Sequence, residues 1–166
     1  MKFRLVFAVA FSKLLIKACR LFRLGGTTFP GKAAAKIHPG ILGEISAGVK
    51  TIMVTGTNGK TTTSRIIGGI LSENNIAYFS NKSGANLLSG ITTAFIEASG
   101  LNGKCRSSTA LIEADEAAFK QAAASIRPAV LVVTNFFRDQ LDRYGELYTT
   151  LKGVDSGIKK SPETIL

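Results

Sequence analysis

Residues 54–62 read V-T-G-T-N-G-K-T-T, and they follow the apolar run Thr51-Ile52-Met53-Val54. They precede a helical pattern over 61–73, with Ile66, Ile67, Ile70 and Leu71 at helical spacing. A strand, a glycine turn and a helix start in that order build a phosphate site. Gly56 and Gly59 let the loop around Thr57 and Asn58 turn its N–H groups inward. The helix start, with Thr62 in its first turn, adds partial positive charge. Lys60 supplies a full charge for β- and γ-phosphates, and the Thr61 hydroxyl is a ligand for Mg²⁺. The chemistry implied is binding of ATP or a close relative. The usual G-x-x-x-x-G-K-[ST] pattern would need glycine at position 54, where this chain has Val54.

Elements that position this loop follow downstream. Residues 76–79 form a short strand candidate, 110–112 a buried one, and 129–133 the clearest strand of all. Helical patterns lie within 86–99 and over 116–125. Strands alternating with helices imply an α/β fold, a mainly parallel sheet flanked by helices on both faces. Ligands of such sheets collect at the carboxyl ends of the strands. Polar residues just after each strand are therefore the candidates for function. Glu113 follows one strand and can hold Mg²⁺ or serve as a surface acid or helix cap, while Asp115 suits the cap of the next helix. Asn135, Asp139, Asp142 and Arg143 follow the last strand and can meet nucleotide, metal or substrate, or simply satisfy turns. Ser83-Gly84-Ala85-Asn86 precedes a helix, where Asn86 can meet a phosphate or acyl group or serve as a cap.

The chain has 166 residues, 45% of them hydrophobic and 19% charged, which suits one globular core. No apolar run approaches the ~20 residues of a membrane span. The net charge is +10, and it is unevenly placed. Residues 1–50 carry nine Lys/Arg against Glu44 alone, and 51–166 carry twelve against ten acids, so the two parts hold +8 and +2. With no basic, aromatic-interleaved surface near the phosphate loop, nucleic acid is not an expected partner. Cys19 and Cys105 lack metal-site spacing and read as free thiols of a reducing cytoplasm. The absence of an N-K-x-D segment argues against a GTPase.

The first 24 residues suit a basic amphipathic helix, with Phe3, Val6, Phe7, Ala10, Leu14 and Leu21 interleaved by Lys13, Lys17, Arg20 and Arg23. Such a helix can lie on an anionic membrane, at the inner face of the cell membrane. Packing on its own domain with a solvated basic face is the favoured reading. Continuing basic residues and the lack of a small-residue cleavage site argue against a secretory signal. Residues 25–40, rich in Gly and Pro, read as a linker or ordered loop, so the expected units are 1–40 and 41–166. His38, with no acidic neighbour in sequence, carries no expected role, and Lys32 is either a nucleotide contact or a surface lysine.

Taken together, these segments resemble the Mur ligase superfamily. T-G-T-N-G-K-T-T is that family's form of the phosphate loop, and D-Q-L-D-R-Y-G resembles its D-H-L-D-R-x-G. G-G-T-T-F-P-G-K-A-A-A-K, S-G-A-N-L-L-S-G-I-T-T-A-F, E-A-D-E-A-A-F and T-N-F-F-R-D-Q-L-D-R-Y-G narrow the resemblance to the MurT family, ligase subunits of lipid II isoglutaminyl synthase. The resemblance runs from about Gly25 to Gly145 and implies an incomplete Mur ligase central ATPase domain preceded by an N-terminal helix. It implies ATP- and Mg²⁺-dependent amidation of the D-glutamate α-carboxylate in the lipid II stem peptide, through an acyl phosphate. By position it assigns Lys60 to the phosphates, Thr61 and Glu113 to the metal, Asn86 to the phosphoryl region and Asn135 to adenine. Gln140 stands where many relatives have a metal-ligating histidine, which weakens a second metal site. Lys152 lies near the position of a carbamylated lysine in many relatives, but its spacing from Gly145 does not match.

No cysteine has a histidine partner for glutamine hydrolysis, so ammonia is expected from a separate GatD-like glutaminase. The zinc-ribbon cysteines of the MurT family are not in this sequence, and 161–166 read as a turn entering a strand. The expectation is an N-terminal portion of such a subunit that binds nucleotide weakly and is inactive alone. Two alternatives stand beside it: another Mur-type ligase such as a folylpolyglutamate synthase, or a non-catalytic nucleotide-binding module.

Overall fold

A computed structural model describes residues 2–22, 28–81 and 84–135, together with residues 152, 155, 156 and 158. Three helices come first: α1 (Lys2–Leu21), α2 (Phe29–Ile37) and α3 (Ile41–Ser46). The α/β body follows as β1 (Lys50–Thr55), α4 (Lys60–Glu73), β2 (Tyr78–Ser80), α5 (Leu88–Ala98), β3 (Thr109–Glu113), α6 (Glu116–Ile126) and β4 (Val130–Val133). The strands form one sheet in the order β2-β3-β1-β4, and every pairing is parallel. β1 is central, so its side chains are buried from Met53 to Thr55.

The expected layers are present. α5 and α6 contribute Ile91, Phe95, Phe119 and Ala122 to a core that also holds Met53, Ala110, Ile112 and Leu131 from the sheet. Phe79 meets Phe95 edge to face at a centroid distance of 5.0 Å. α4 packs against β1 and β3 through a different set of residues. Its buried positions are Ser64, Gly68 and Leu71, while Ile66 and Ile70, members of the apolar pattern read in the sequence, are exposed. Small residues let this helix lie close to Tyr78 and Leu111, both within 3.6 Å of a side-chain position built on Gly68.

The Gly/Pro-rich stretch differs from the linker or loop expected of it. Residues 29–37 are the helix α2, with Pro30 in its first turn and Lys32-Ala33-Ala34-Ala35-Lys36 behind it. Proline at a helix start lacks only an N–H that would have no intrahelical partner, and alanine has the highest helix propensity. α2 packs on α5 so closely that a Cβ on Gly31 would collide with the Ser89 carbonyl oxygen and lie 2.7 Å from Thr93 Oγ1. Ala8, Val9 and Ile16 of α1 and Ala34 of α2 join the same core as the sheet. α1 is tied down further by Lys13, whose ammonium donates to the Ser99 carbonyl (2.6 Å), and by Arg20, which pairs with Glu97 (2.6 Å). Burial, then the neighbouring Arg106 charge, lowers the pKa of Lys13. His38 also departs from expectation: Glu44, one turn into α3, places Oε1 2.9 Å from its Nε2.

Cys105 sits half-buried beside α3, with Sγ 3.3 Å from the Ile45 carbonyl oxygen. Burial pushes its pKa up to about 11, partly opposed by Lys13, which is the reverse of an activated nucleophile.

Two outcomes follow from this packing. Gly31→Ala should destabilise the fold by about 1–3 kcal/mol through overpacking, seen as a lowered Tm in a thermal melt. Cys105 should alkylate roughly a hundredfold more slowly than a free cysteine at pH 8, measured by mass spectrometry of iodoacetamide adducts. The protonated thiol stabilises the fold fully below the unfolded pKa of 9.0, and that contribution is lost as pH rises toward about 11.

Candidate nucleotide and metal site

Three loops meet at the carboxyl edge of the sheet: those after β1, β3 and β4. Their meeting is a consequence of register, because Val54 pairs with Glu113 on one side and with Val132 on the other. Val54 itself is fully buried within β1, which accounts for its departure from the usual glycine pattern. The position belongs to the strand, and the turn starts two residues later.

Gly56 has φ +128°, and a Cβ there would collide with Thr134 Oγ1 and lie 2.7 Å from the Asn135 carbonyl oxygen. The β1 loop is thus pressed directly against the β4 loop. Asn135 grips it at three points: its carbonyl accepts from Thr57 N–H (2.7 Å), its Oδ1 accepts from Asn58 N–H (3.0 Å), and its Nδ2 donates to the Asn58 carbonyl (3.1 Å). The Thr134 hydroxyl donates to the same Asn58 carbonyl at 2.7 Å. Thr134 was not singled out in the sequence, where a lone threonine after a strand carries no signal.

Gly59, at φ +84°, turns the chain into α4. The first-turn N–H groups of α4, from Lys60 to the exposed Thr62, therefore face out of the loop, as helix geometry requires. The Lys60 ammonium bends over the loop and donates to the Gly56 carbonyl and to the Thr57 carbonyl (3.0 Å). Glu116 Oε2 lies 3.7 Å from it. Glu116 is a second residue the sequence reading passed over, since an acid in a helix first turn usually serves the helix dipole.

Glu113 stands where the sequence placed it. Thr61 Oγ1 donates to its Oε2 at 3.0 Å, joining the helix start to the end of β3. The aim of that carboxylate is set by Asn81, which is almost wholly buried just after β2. Asn81 Oδ1 accepts from Glu113 N–H (2.9 Å), and its Nδ2 donates to the Glu113 carbonyl (2.8 Å) and to the Ala85 carbonyl (2.9 Å). One side chain thus extends the sheet past β2 and holds Ala85 against it. Asn86 is brought into the same corner by its carbonyl, which accepts from Asp115 N–H at 3.0 Å. Asp115 caps α6 as its sequence position suggested, accepting from Ala117 N–H at 3.0 Å.

A cavity of about 180 Å³ opens beside this corner, lined by Thr61, Ser64, Arg65, Asn81 and Glu113 among others. The Ser64 hydroxyl on its wall is buried and has no hydrogen-bond partner among the described residues. Hydroxyl and carboxylate oxygens fit Mg²⁺, which takes one or two protein oxygens and leaves the other positions to phosphates and water. No cluster of three or more His, Cys, Asp or Glu occurs among the described residues, so a closed cage is not what this corner offers. Lys32 lies elsewhere, exposed on α2 at a groove with Leu87, Ser89, Ala117 and Gln121. Asp139, Gln140 and Arg143 fall outside the described residues, as do Asp142 and Ser83.

Comparison with known proteins agrees with this geometry. Residues 54–152 match the Mur ligase middle domain. The chain is 42% identical over 143 residues to the lipid II isoglutaminyl synthase (glutamine-hydrolyzing) subunit MurT of Streptococcus pneumoniae, covering 86% of this chain and 32% of that protein. The MurT subunit of Staphylococcus aureus strain COL is likewise 42% identical, over 84% of this chain and 31% of its own length. The chain thus spans about a third of the length of these relatives. Among solved structures, one crystal structure of MurF from Acinetobacter baumannii superposes with a TM-score of 0.61 at 20% identity, covering 79% of this chain and 28% of MurF. A second MurF crystal structure gives 0.56 at 21% identity, over 80% of this chain and 28% of its own. A phosphate loop braced by the neighbouring strand ends, the middle-domain match and the two MurT likenesses converge: the chain belongs to the Mur ligase family.

Proposed function

We propose that this chain forms the nucleotide-binding part of an ATP-dependent amide ligase acting on the lipid II stem peptide. The reaction is amidation of the D-glutamate α-carboxylate to D-isoglutamine, the activity carried by the names of the MurT relatives. The observation that supports it most directly is the Thr61–Glu113 pair at the mouth of the phosphate loop. In this reading the substrate carboxylate oxygen attacks the γ-phosphorus of ATP, ADP leaves, and an acyl phosphate forms. Ammonia then attacks the acyl carbon, and inorganic phosphate leaves. Carboxylates are poor electrophiles, and phosphorylation supplies the leaving group.

The chain's own residues position and neutralise charge. Amides at the start of α4, from Lys60 to Thr62, would meet the phosphates, and Lys60 would turn from the loop carbonyls toward the β- and γ-oxygens, while the Thr57 and Asn58 N–H groups stay on Asn135. Thr61 and Glu113 would hold Mg²⁺, which would supply charge neutralisation for the phosphates. Asn81 acts through Glu113 as a positioning residue. The family resemblance would assign Asn86 to the phosphoryl region and Asn135 to the adenine side, with Asp139 and Arg143 as further nucleotide contacts and Gln140 as a weak second-metal ligand. The half-buried, high-pKa Cys105 does not suit glutamine hydrolysis, which supports ammonia delivery by a GatD-like glutaminase in a heterodimer. The zinc of the MurT family belongs to parts of those proteins not represented here. The setting is the cytoplasm, at the inner face of the membrane that carries lipid II.

Titration calorimetry of the full-length protein with Mg²⁺ and a non-hydrolysable ATP analogue tests the reading. Lys60→Ala should weaken binding at least tenfold and abolish amidation of lipid II in the presence of the glutaminase. Glu113→Gln should leave metal-free nucleotide binding nearly unchanged but remove most of the gain from Mg²⁺. Asn81→Ala should raise the Mg²⁺ concentration needed for half-maximal activity, with the metal-free nucleotide affinity kept within about threefold. Lack of Mg²⁺-nucleotide binding by the wild-type protein would overturn the proposal.

A further inference from the structure

α1 carries two apolar faces. Ala8, Val9, Ser12 and Ile16 are buried against the domain. At about 100° per residue, Phe3, Phe7, Phe11, Leu14 and Leu21 fall on the opposite side. Their exposures are high: Phe3 83%, Phe7 53%, Phe11 40%, Leu14 65% and Leu21 78%, with Phe22 at 70% just beyond the helix. Phe7 and Phe11 stack on one another at 6.2 Å without covering their faces from solvent. The favoured expectation, a packed helix with a solvated basic face, is thus half met: the helix is packed, but its outward face is aromatic and aliphatic.

Charge decides what fits there. α1 holds no acidic residue, and the first acid in the chain is Glu44. Arg4 and Lys17 are exposed on the flanks of the stripe. Glu97, the acid that α5 brings to α1, is already paired with Arg20. An apolar stripe bordered by cations with no anion between them suits a surface that is apolar inside and anionic at its rim. No helix among the described residues is long and apolar enough to cross a membrane, so the fit is to lying on one.

We propose that the outward face of α1 is an interfacial docking surface for an anionic phospholipid bilayer. It seats Phe3, Phe7, Leu14 and Leu21 at the acyl boundary, with Arg4 and Lys17 on the headgroups. The helix is roughly 30 Å long at 1.5 Å per residue, and its buried face keeps the α/β body rigidly attached to the bound surface. This inference rests on α1 alone and stands or falls apart from the nucleotide site.

Sedimentation of the full-length protein with phosphatidylglycerol/phosphatidylcholine vesicles, against phosphatidylcholine alone, tests it. The expected result is binding to the anionic vesicles, at least tenfold weaker on the neutral ones and weakened by salt. The double variant Phe7→Glu/Leu14→Glu should lose at least tenfold in partitioning while Mg²⁺-nucleotide affinity stays at the wild-type value. Arg4→Glu/Lys17→Glu should remove most of the preference for anionic over neutral vesicles. Absence of vesicle binding would overturn the proposal. So would a wild-type dimer, seen by analytical ultracentrifugation, that the Phe7/Leu14 variant converts to monomer, because a second copy would then be the occupant. Vesicle binding unchanged in the Phe7/Leu14 variant would overturn it equally.

Discussion

The parallel register that sets Val54 opposite Glu113 and Val132 is the constraint from which the rest of the site follows. Backbone pairing brings three strand ends to one edge before any side chain is considered. The loop after β1 then has β3's carboxylate on one side and β4's Thr134-Asn135 on the other. A slip of one residue in β3 would turn Glu113 to the other face of the sheet and bring its neighbour to the edge instead. The register is held by burial, since Met53, Ala110, Ile112 and Leu131 share the core. The core therefore sets the distance between a helix-start hydroxyl and a strand-end carboxylate.

Charge in the site is arranged for exchange of partners. Lys60 rests on two loop carbonyls and faces Glu116 at 3.7 Å, while Thr61 donates to Glu113. Each of these groups has a partner that a phosphate or a divalent cation can replace. Burying a cation without any partner would be costly, so a provisional one keeps the loop stable. The protein thus avoids holding like charges together and still presents its ammonium, amides and hydroxyl to one small volume. Asn81 works differently, because its hydrogen bonds are all to backbone groups, which a phosphate or a cation does not compete for.

Much of this was legible in the sequence because the signals were local. The glycines, lysine and threonine of the loop sit within nine residues, and the apolar runs of β1, β3 and β4 stand out from their polar flanks. Asp115 could be read as a cap because capping is a contact two residues long. Less legible was anything that depends on distance in the chain. Asn81 lies 32 residues from Glu113, and nothing near it in sequence marks it as a clamp. The helix over 29–37 was hidden because Gly and Pro at its start suggest a turn, whereas here Gly31 serves close packing against α5. His38 finds Glu44 only once the chain has turned into α3. The exposure of Ile66 and Ile70 was equally hidden, since periodicity reports that a face exists but not which way it looks.

The clasp between Asn58 and the Thr134-Asn135 pair joins the turn after β1 and the end of β4 into a single mechanical element. Asn58 sits in the glycine turn after β1, and Asn135 lies two residues past the end of β4. Motion of one is felt directly by the other through three side-chain hydrogen bonds, without passing through the sheet. Lifting the turn away would free the Asn135 amide and the Thr134 hydroxyl together, so the ends of β1 and β4 behave as one unit.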